Sequence, residues 1–162
     1  MPPQTCIPPE GCSDEGMRIA VLADTHNRLP SHLPREIADA DEIWHLGDVT
    51  DESTLDPLHA LELPLHIVRG NGDWCTNWPW VLDLEREGFR IRLIHIPPLM
   101  PPPGTDLLLH GHTHLPRNER IGATRFFNPG SVGKPNHGAP PSYAWLELVR
   151  GRAPKWELVR IS

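Results

Sequence analysis

The chain has 162 residues, 22% of them charged, and a formal net charge of −6. That length suits one domain around one core, and the acidic balance excludes a broad basic surface for gripping nucleic acid. No run approaches the roughly 18 apolar residues of a membrane span, and "MPPQTCIPPEGCSDEG" has neither the basic nor the apolar part of a secretory signal. A soluble, cytoplasmic protein without a membrane partner is expected.

Residues 1–16 mix Pro, Gly, Ser and acids without apolar periodicity and predict a disordered or loosely packed tail. Cys6, Cys12 and Cys75 fit no disulfide framework and are expected to be free thiols. The folded unit, residues 17–162, and the natural translation start are expected at Met17. From there "RIAVLADTH" predicts a strand, "HLPREIADA" a helix, "EIWHLGDV" a strand, "ESTLDPLHALE" a helix and "LHIVRGNGD" a third strand. This is a βαβαβ pattern with a largely parallel sheet. Beyond it, "WVLDLE", "FRIRLIHI", "DLLLHGH", "ATRFFNP", "YAWLELV" and "KWELVRI" follow with little helix between them and predict antiparallel or mixed strands.

The 20 prolines gather at 2–9, 97–103 and 140–141, marking the tail and two loops. The six tryptophans are expected to pack core and sheets, with Trp74 and Trp78 near a pocket rim. The acidic run "DADE" at 39–42 reads as a solvated turn.

Asp24, Asp48 and Asn71 each fall just past a strand, 24 and 23 residues apart. Ligand sites of open α/β sheets lie beyond the carboxyl ends of the strands, so the three should converge. His26, His95, His112 and His114 occupy similar strand-end positions. Alternation in an extended segment would aim Asp24 with His26, and His112 with His114, to one side. Seven oxygen and nitrogen donors without a thiolate are too many for one tetrahedral ion and suit two adjacent divalent ions such as Mn, Fe, Zn or Co. Gly47, Gly70, Gly72 and Gly111 stand where the backbone must turn tightly or come close. Taken singly, each donor is an ordinary turn former or structural histidine, and only their joint order carries the metal reading. His45, His59, His66 and His110 read as structural, and Asp51 and Asp73 as groups that orient ligands or loops.

The ordered segments "DTH", "GDVTD", "GNGD", the histidine of "IHI", and "GHTH", with "NPGS" at 128–131, resemble the calcineurin-like metallophosphoesterase superfamily over residues 17–162. In size and wording the resemblance is to its small bacterial and archaeal phosphodiesterase branch. It implies an α/β fold: a four-layer αββα sandwich of two mixed sheets flanked by helices. It implies one ion on Asp24, His26, Asp48 and His114 and another on Asp48, Asn71, His95 and His112, with Asp48 bridging. Manganese is the expected metal, with Ni, Co, Fe or Zn as alternatives. Asp48, Asn71 and His112 are taken as the catalytic residues of a phosphoesterase, most of all a phosphodiesterase. Its nucleophile would be a metal-bridging hydroxide, since coordination lowers the pKa of water from 15.7 to about 7. Arg28, Lys134 and His137 lie beside these segments and are candidate contacts to a small phosphate-ester substrate. Relatives of this kind are often dimers or tetramers, so a homo-oligomer is also expected.

Three departures stand out. Gly72 replaces a histidine that donates a proton to the leaving group in many larger relatives, predicting a preference for diesters with good leaving groups, such as aryl or cyclic esters. "IPPLMPPPGTD" stands where an outer helix is usual, and the N-terminal tail is extra. A metallo-β-lactamase would continue its alternating histidines with Asp-His, but Leu115 and Pro116 follow here. A rival from another class is the retromer subunit of the same fold, a protein-binding scaffold that lacks part of the donor set. All seven donors are present in this chain.

Overall fold

The computed structural model describes residues 15–162 apart from 75 and 137. The tail expected at 1–16 therefore lies, except for its last two residues, outside the described residues, as do all three cysteines and His137. Strands β1 (Met17–Leu22), β2 (Glu42–His45) and β3 (Leu65–Ile67) pair in parallel. Strands β9 (Ser142–Leu148) and β10 (Lys155–Arg160) add antiparallel on the other side of β1, giving the order β10-β9-β1-β2-β3. A second sheet comprises β4 (Val81–Arg86), β5 (Phe89–Ile94), β6 (Leu107–Leu109), β7 (Arg117–Ile121) and β8 (Thr124–Asn128), in the order β4-β5-β6-β8-β7. Its three central strands are parallel and both edges antiparallel.

The period of two along each strand decides what packs where. Ile19 and Val21 of β1, with Trp44, turn toward the second sheet and meet Ile91, Leu93, Leu107, Leu109 and Phe127. Phe127 stacks on Trp156, ring centroids 4.5 Å apart. The opposite face of the first sheet, Ala20, Leu22 and Ile43, is covered by Leu33, Ile37, Leu55 and Leu58. Leu33 comes from α1 (Leu33–Glu36) and Ile37 from its C-cap, Leu55 from a 3₁₀ turn (Glu52–Leu55) and Leu58 from α2 (Asp56–His59).

Both expected helices exist but are cut to four residues each. Each starts with a proline in its first turn, Pro34 and Pro57, and soon gives way to the next strand: the backbone N–H of Asp41 already donates to Arg18 O at 2.8 Å. Helices this short have no stability of their own, so buried leucines hold them in place.

Helices flank only the first sheet, since among the described residues none follows β3. The outer helix is missing where the proline-rich stretch predicted its loss. The end of that stretch is tied down by Thr124 Oγ1, which donates to Thr105 O at 2.6 Å. Three expectations need correction. Sequence patterning missed β7, because "RNERI" is a polar edge strand with no buried side to show a period. Glu42 is not solvated but buried, accepting from Trp44 Nε1 at 2.8 Å and from Arg86 at 2.9 Å. Trp80 does not pack inside with the other tryptophans expected there but is 57% exposed.

Candidate metal centre

The carboxyl ends of β1, β2 and β3 in one sheet and of β5 and β6 in the other open onto the same end of the molecule. Asp24 and His26 follow β1, Asp48 follows β2, Asn71 follows β3, His95 follows β5, and His112 and His114 follow β6. The loops are sewn together by main-chain bonds. Asp24 N donates to Gly47 O and His26 N to Asp48 O, both at 3.0 Å, and Gly111 N donates to His95 O at 3.1 Å.

The way these residues aim inward differs from the expectation. Asp24, His26, Asp48, His112 and His114 are not extended: all five have positive φ, between 43° and 72°. Convergence comes from consecutive left-handed turns, not from strand alternation. Such backbone costs on the order of 1 kcal/mol or more per non-glycine residue and gathers where function requires it. Close approach also explains the glycines. A Cβ on Gly70 would collide with the backbone and carboxylate of Asp48, and one on Gly111 would lie 2.9 Å from Asp24 Oδ2.

Asp24, His26, Asp48 and His114 each bring one ligand atom within 4.8 Å of the others. His114 Nε2 lies 3.3 Å from both Asp24 Oδ1 and His26 Nε2. His95 Nε2 is 3.3 Å from Asp48 Oδ2, and His112 Nδ1 is 3.0 Å from Asn71 Oδ1. Asp48 Oδ2 also lies 3.6 Å from His26 Nε2, so this carboxylate stands between the two donor groups.

Two donors bound at about 2.1 Å to one tetrahedral or octahedral ion are themselves about 3.0–3.4 Å apart. Four of the five spacings fall in that range, and the fifth, 3.6 Å between Asp48 and His26, lies just beyond it. The buried atoms Asp24 Oδ1 and His95 Nε2 have no hydrogen-bond partner, an arrangement that costs roughly 1–3 kcal/mol per atom unless something else satisfies them. Tautomers are fixed to suit. His95 Nδ1 lies 2.7 Å from Leu46 O and His114 Nδ1 2.7 Å from Lys134 O. Donating there leaves Nε2 as the ring nitrogen that faces the carboxylates, the one a metal would take. The residues present therefore fit a divalent cation at Asp24, His26, Asp48 and His114, with His95 beside Asp48.

Electrostatics agree. Burial pushes the Asp24 carboxyl up, but its contacts with His114 and His26 and the nearby His95 outweigh that and hold it at about 2. Burial likewise raises Asp48, and His95 and the Gly72 N–H together bring it below the ordinary range. Burial lowers His95, yet Asp48 and Asp24 lift it above the usual value, while Asp24 lifts His114. Facing ionised carboxylates favours the charged form of both imidazoles, and a metal cation would compete with the proton for the same place.

Around the donors runs a supporting layer. Asp73 Oδ2 accepts from Asp48 N at 2.9 Å and Gly70 N at 2.7 Å, and its Oδ1 accepts from Thr50 N at 2.8 Å. Asp51 instead caps the 3₁₀ turn through Ser53 N. His45 is buried between Thr25 Oγ1 and Gly47 N, and His110 lies against Arg117 and Asn128. Two supporting residues escaped individual assignment. Ser131 Oγ donates to Asp24 O at 2.8 Å, and Asn128 Nδ2 donates to Gly111 O at 3.1 Å. The only signal for them in the sequence was the "NPGS" segment.

Among the described residues, the side chains of Arg28 and Lys134 make no hydrogen bond or ion pair with the donors. They line an open hollow of about 660 Å³ together with His26, Thr50, Gly72 and the exposed Trp74. Trp78, expected at a rim with Trp74, lines with it a smaller neighbouring hollow beside Asp73 while packing part-buried against the helix-side core.

Residues 17–151 match the calcineurin-like phosphoesterase superfamily domain. The chain is 34% identical over 136 residues to a probable metallophosphoesterase of Methanocaldococcus jannaschii, covering 74% of this chain and 70% of that protein. A 42-residue stretch, 26% of this chain and 23% of the relative, is 52% identical to the phosphodiesterase YfcE of Escherichia coli. The solved structure of YfcE superposes with a TM-score of 0.67 at 26% identity, over 90% of this chain and 100% of that one. Vps29 of Entamoeba histolytica, solved in complex with zinc, shares the fold at a TM-score of 0.73 and 21% identity, over 89% of this chain and 99% of that one.

Proposed function

Because the chain belongs to the calcineurin-like phosphoesterase superfamily, we propose that it is a metal-dependent phosphodiesterase that hydrolyses small phosphate esters at a two-ion centre. The observation that carries this reading is the pair of buried, partnerless atoms, Asp24 Oδ1 and His95 Nε2, facing into the convergent donors. Asp24, His26, Asp48 and His114 would hold one ion and Asp48, Asn71, His95 and His112 the other, with manganese as the preferred metal. Bound there, divalent ions supply an acidified water for attack on phosphorus and positive charge for the phosphoryl oxygens.

The chain's own residues do the rest. Leu46 O and Lys134 O accept from Nδ1 of His95 and His114 and so leave Nε2 as the nitrogen of each ring that would ligate a metal. Asp73 fixes the backbone that carries Asp48. Arg28 and Lys134, on the hollow beside His26, would attract the anionic substrate. Gly72 N donates to Asp48 Oδ1 at 2.7 Å and offers no side chain to protonate a departing alkoxide. Aryl or cyclic diesters, whose leaving groups need less help, should therefore be preferred.

The test loads metal-stripped protein with Mn, Ni, Co, Zn or Mg and measures bound metal and turnover of nitrophenyl mono- and diesters. Two ions per chain and a metal-dependent diesterase are expected, with Asn71→Ala and His112→Ala each losing at least about 100-fold in turnover. Absence of turnover with every ion, together with a protein partner whose binding survives both substitutions, would make the chain a scaffold and reject the reading.

A further inference from the structure

A second hollow opens on the other flank of the donors. Its volume is about 140 Å³, and it is walled by Trp80, Val81, Ile94 and Ile96 and bounded by Asn71 and His95. Its character is opposite to the hollow of Arg28 and Lys134. Three of its four apolar wall residues are substantially exposed: Trp80 57%, Ile96 49% and Val81 39%. Isolated exposed apolar side chains are ordinary, but a concave cluster of them against a polar centre is the usual make-up of a ligand pocket.

The pocket is also braced. The Arg69 guanidinium lies over the Trp80 ring, 4.5 Å from its centroid, and Arg69 Nε donates to Asp73 O at 3.1 Å. Arg69 N further donates to Pro79 O at 2.8 Å, beside the tryptophan. The residue that positions Asp48 thus also anchors the wall of the apolar hollow.

We propose that this hollow is a binding subsite for one flat aromatic ester group of the substrate, so that the substrate class is aryl phosphodiesters, with the phosphate on the donors and the ring against Trp80, Val81 and Ile96. Volume argues for one ring, since an apolar cavity of about 150 Å³ accepts benzene. Position argues for an ester group, because Asn71 and His95 bound both the hollow and the centre where phosphorus would sit. This inference rests on the proposed function and adds to it the shape and polarity of one substituent.

The test compares phenylphosphonate with methylphosphonate, which present the same anionic head and differ only in the ring. Calorimetry on the manganese-loaded full chain measures both affinities for the wild type and for Trp80→Ala and Ile96→Asn, two changes at exposed positions. Phenylphosphonate is expected to bind about tenfold more tightly in the wild type, and the ratio should fall toward one in each variant. Equal affinities in the wild type, or a ratio that survives both substitutions, would overturn the subsite and leave the phosphodiesterase reading standing. Failure of both phosphonates to bind would overturn the two together. Self-association of the wild type that Trp80→Ala abolishes would give the hollow to a second copy of the chain and also overturn the subsite.

Discussion

The Asp73 carboxylate accepts three backbone N–H groups, from Asp48, Gly70 and Thr50. An amide cannot copy this pattern, because one of its two polar atoms donates and would face an N–H. Asp73→Asn should therefore lose about 1–3 kcal/mol of stability, measured by urea unfolding in chelator, and weaken manganese binding about 10–100-fold, measured by calorimetry. Unchanged metal affinity would show that the loop does not depend on this carboxylate. Residue chemistry was the most legible part of the sequence. Asp24, Asp48 and Asn71 announced themselves by recurring just past successive strands, and Asp73 was read as an orienting group. What could not be read was how the donors turn inward, since Asp and His tolerate left-handed backbone without signalling it and "DTH" looks the same extended or coiled. The roles of Ser131 and Asn128 were equally hidden, because both act through main-chain carbonyls brought close only by the fold.

At the level of elements, the buried strands of the first sheet were plain because their apolar runs are continuous, whereas the helices were overestimated. "HLPREIADA" has the composition of two turns of helix, yet only Leu33–Glu36 forms one. Propensity gives way there to the geometry of reaching β2. Local burial must then carry the helical layer. Leu33 is fully buried against Ile37, Leu55 and Leu58. Leu33→Ala should cost about 2–5 kcal/mol, read from the urea midpoint with the slope unchanged. A loss below about 1 kcal/mol would mean that the layer contributes little to the fold. The second sheet shows the complementary case. It keeps its register without an outer helical layer, and Phe126 on that sheet is fully buried with the Arg117 guanidinium 4.5 Å from its ring centroid.

For the molecule as a whole, His45 sets part of the acid limit. Burial, the leading cause, lowers its pKa from the ordinary 6.5 to about 4. Geometry agrees: Nδ1 accepts from Gly47 N at 3.1 Å and could take up a proton only by giving up that bond. Between these two values the unfolded chain binds the proton and the folded chain does not. Stability linked to this group is therefore intact above pH 6.5, falls as pH drops from 6.5 to 4, and levels off below. The slope is on the order of 1 kcal/mol per pH unit. Unfolding free energies of metal-free wild type and His45→Gln, measured across pH 4–8, should diverge in that window, the wild type losing more. Parallel curves would refute the assignment.

The donors of the proposed centre are divided between two bodies. Asp24, His26, Asp48 and Asn71 belong to loops of one sheet, and His95, His112 and His114 to loops of the other. The greasy layer between the sheets resists separation everywhere alike, but a cation shared across that seam would act as a rivet at one rim. A chain stripped of metal should then gape first at that rim, like a book held only by its spine.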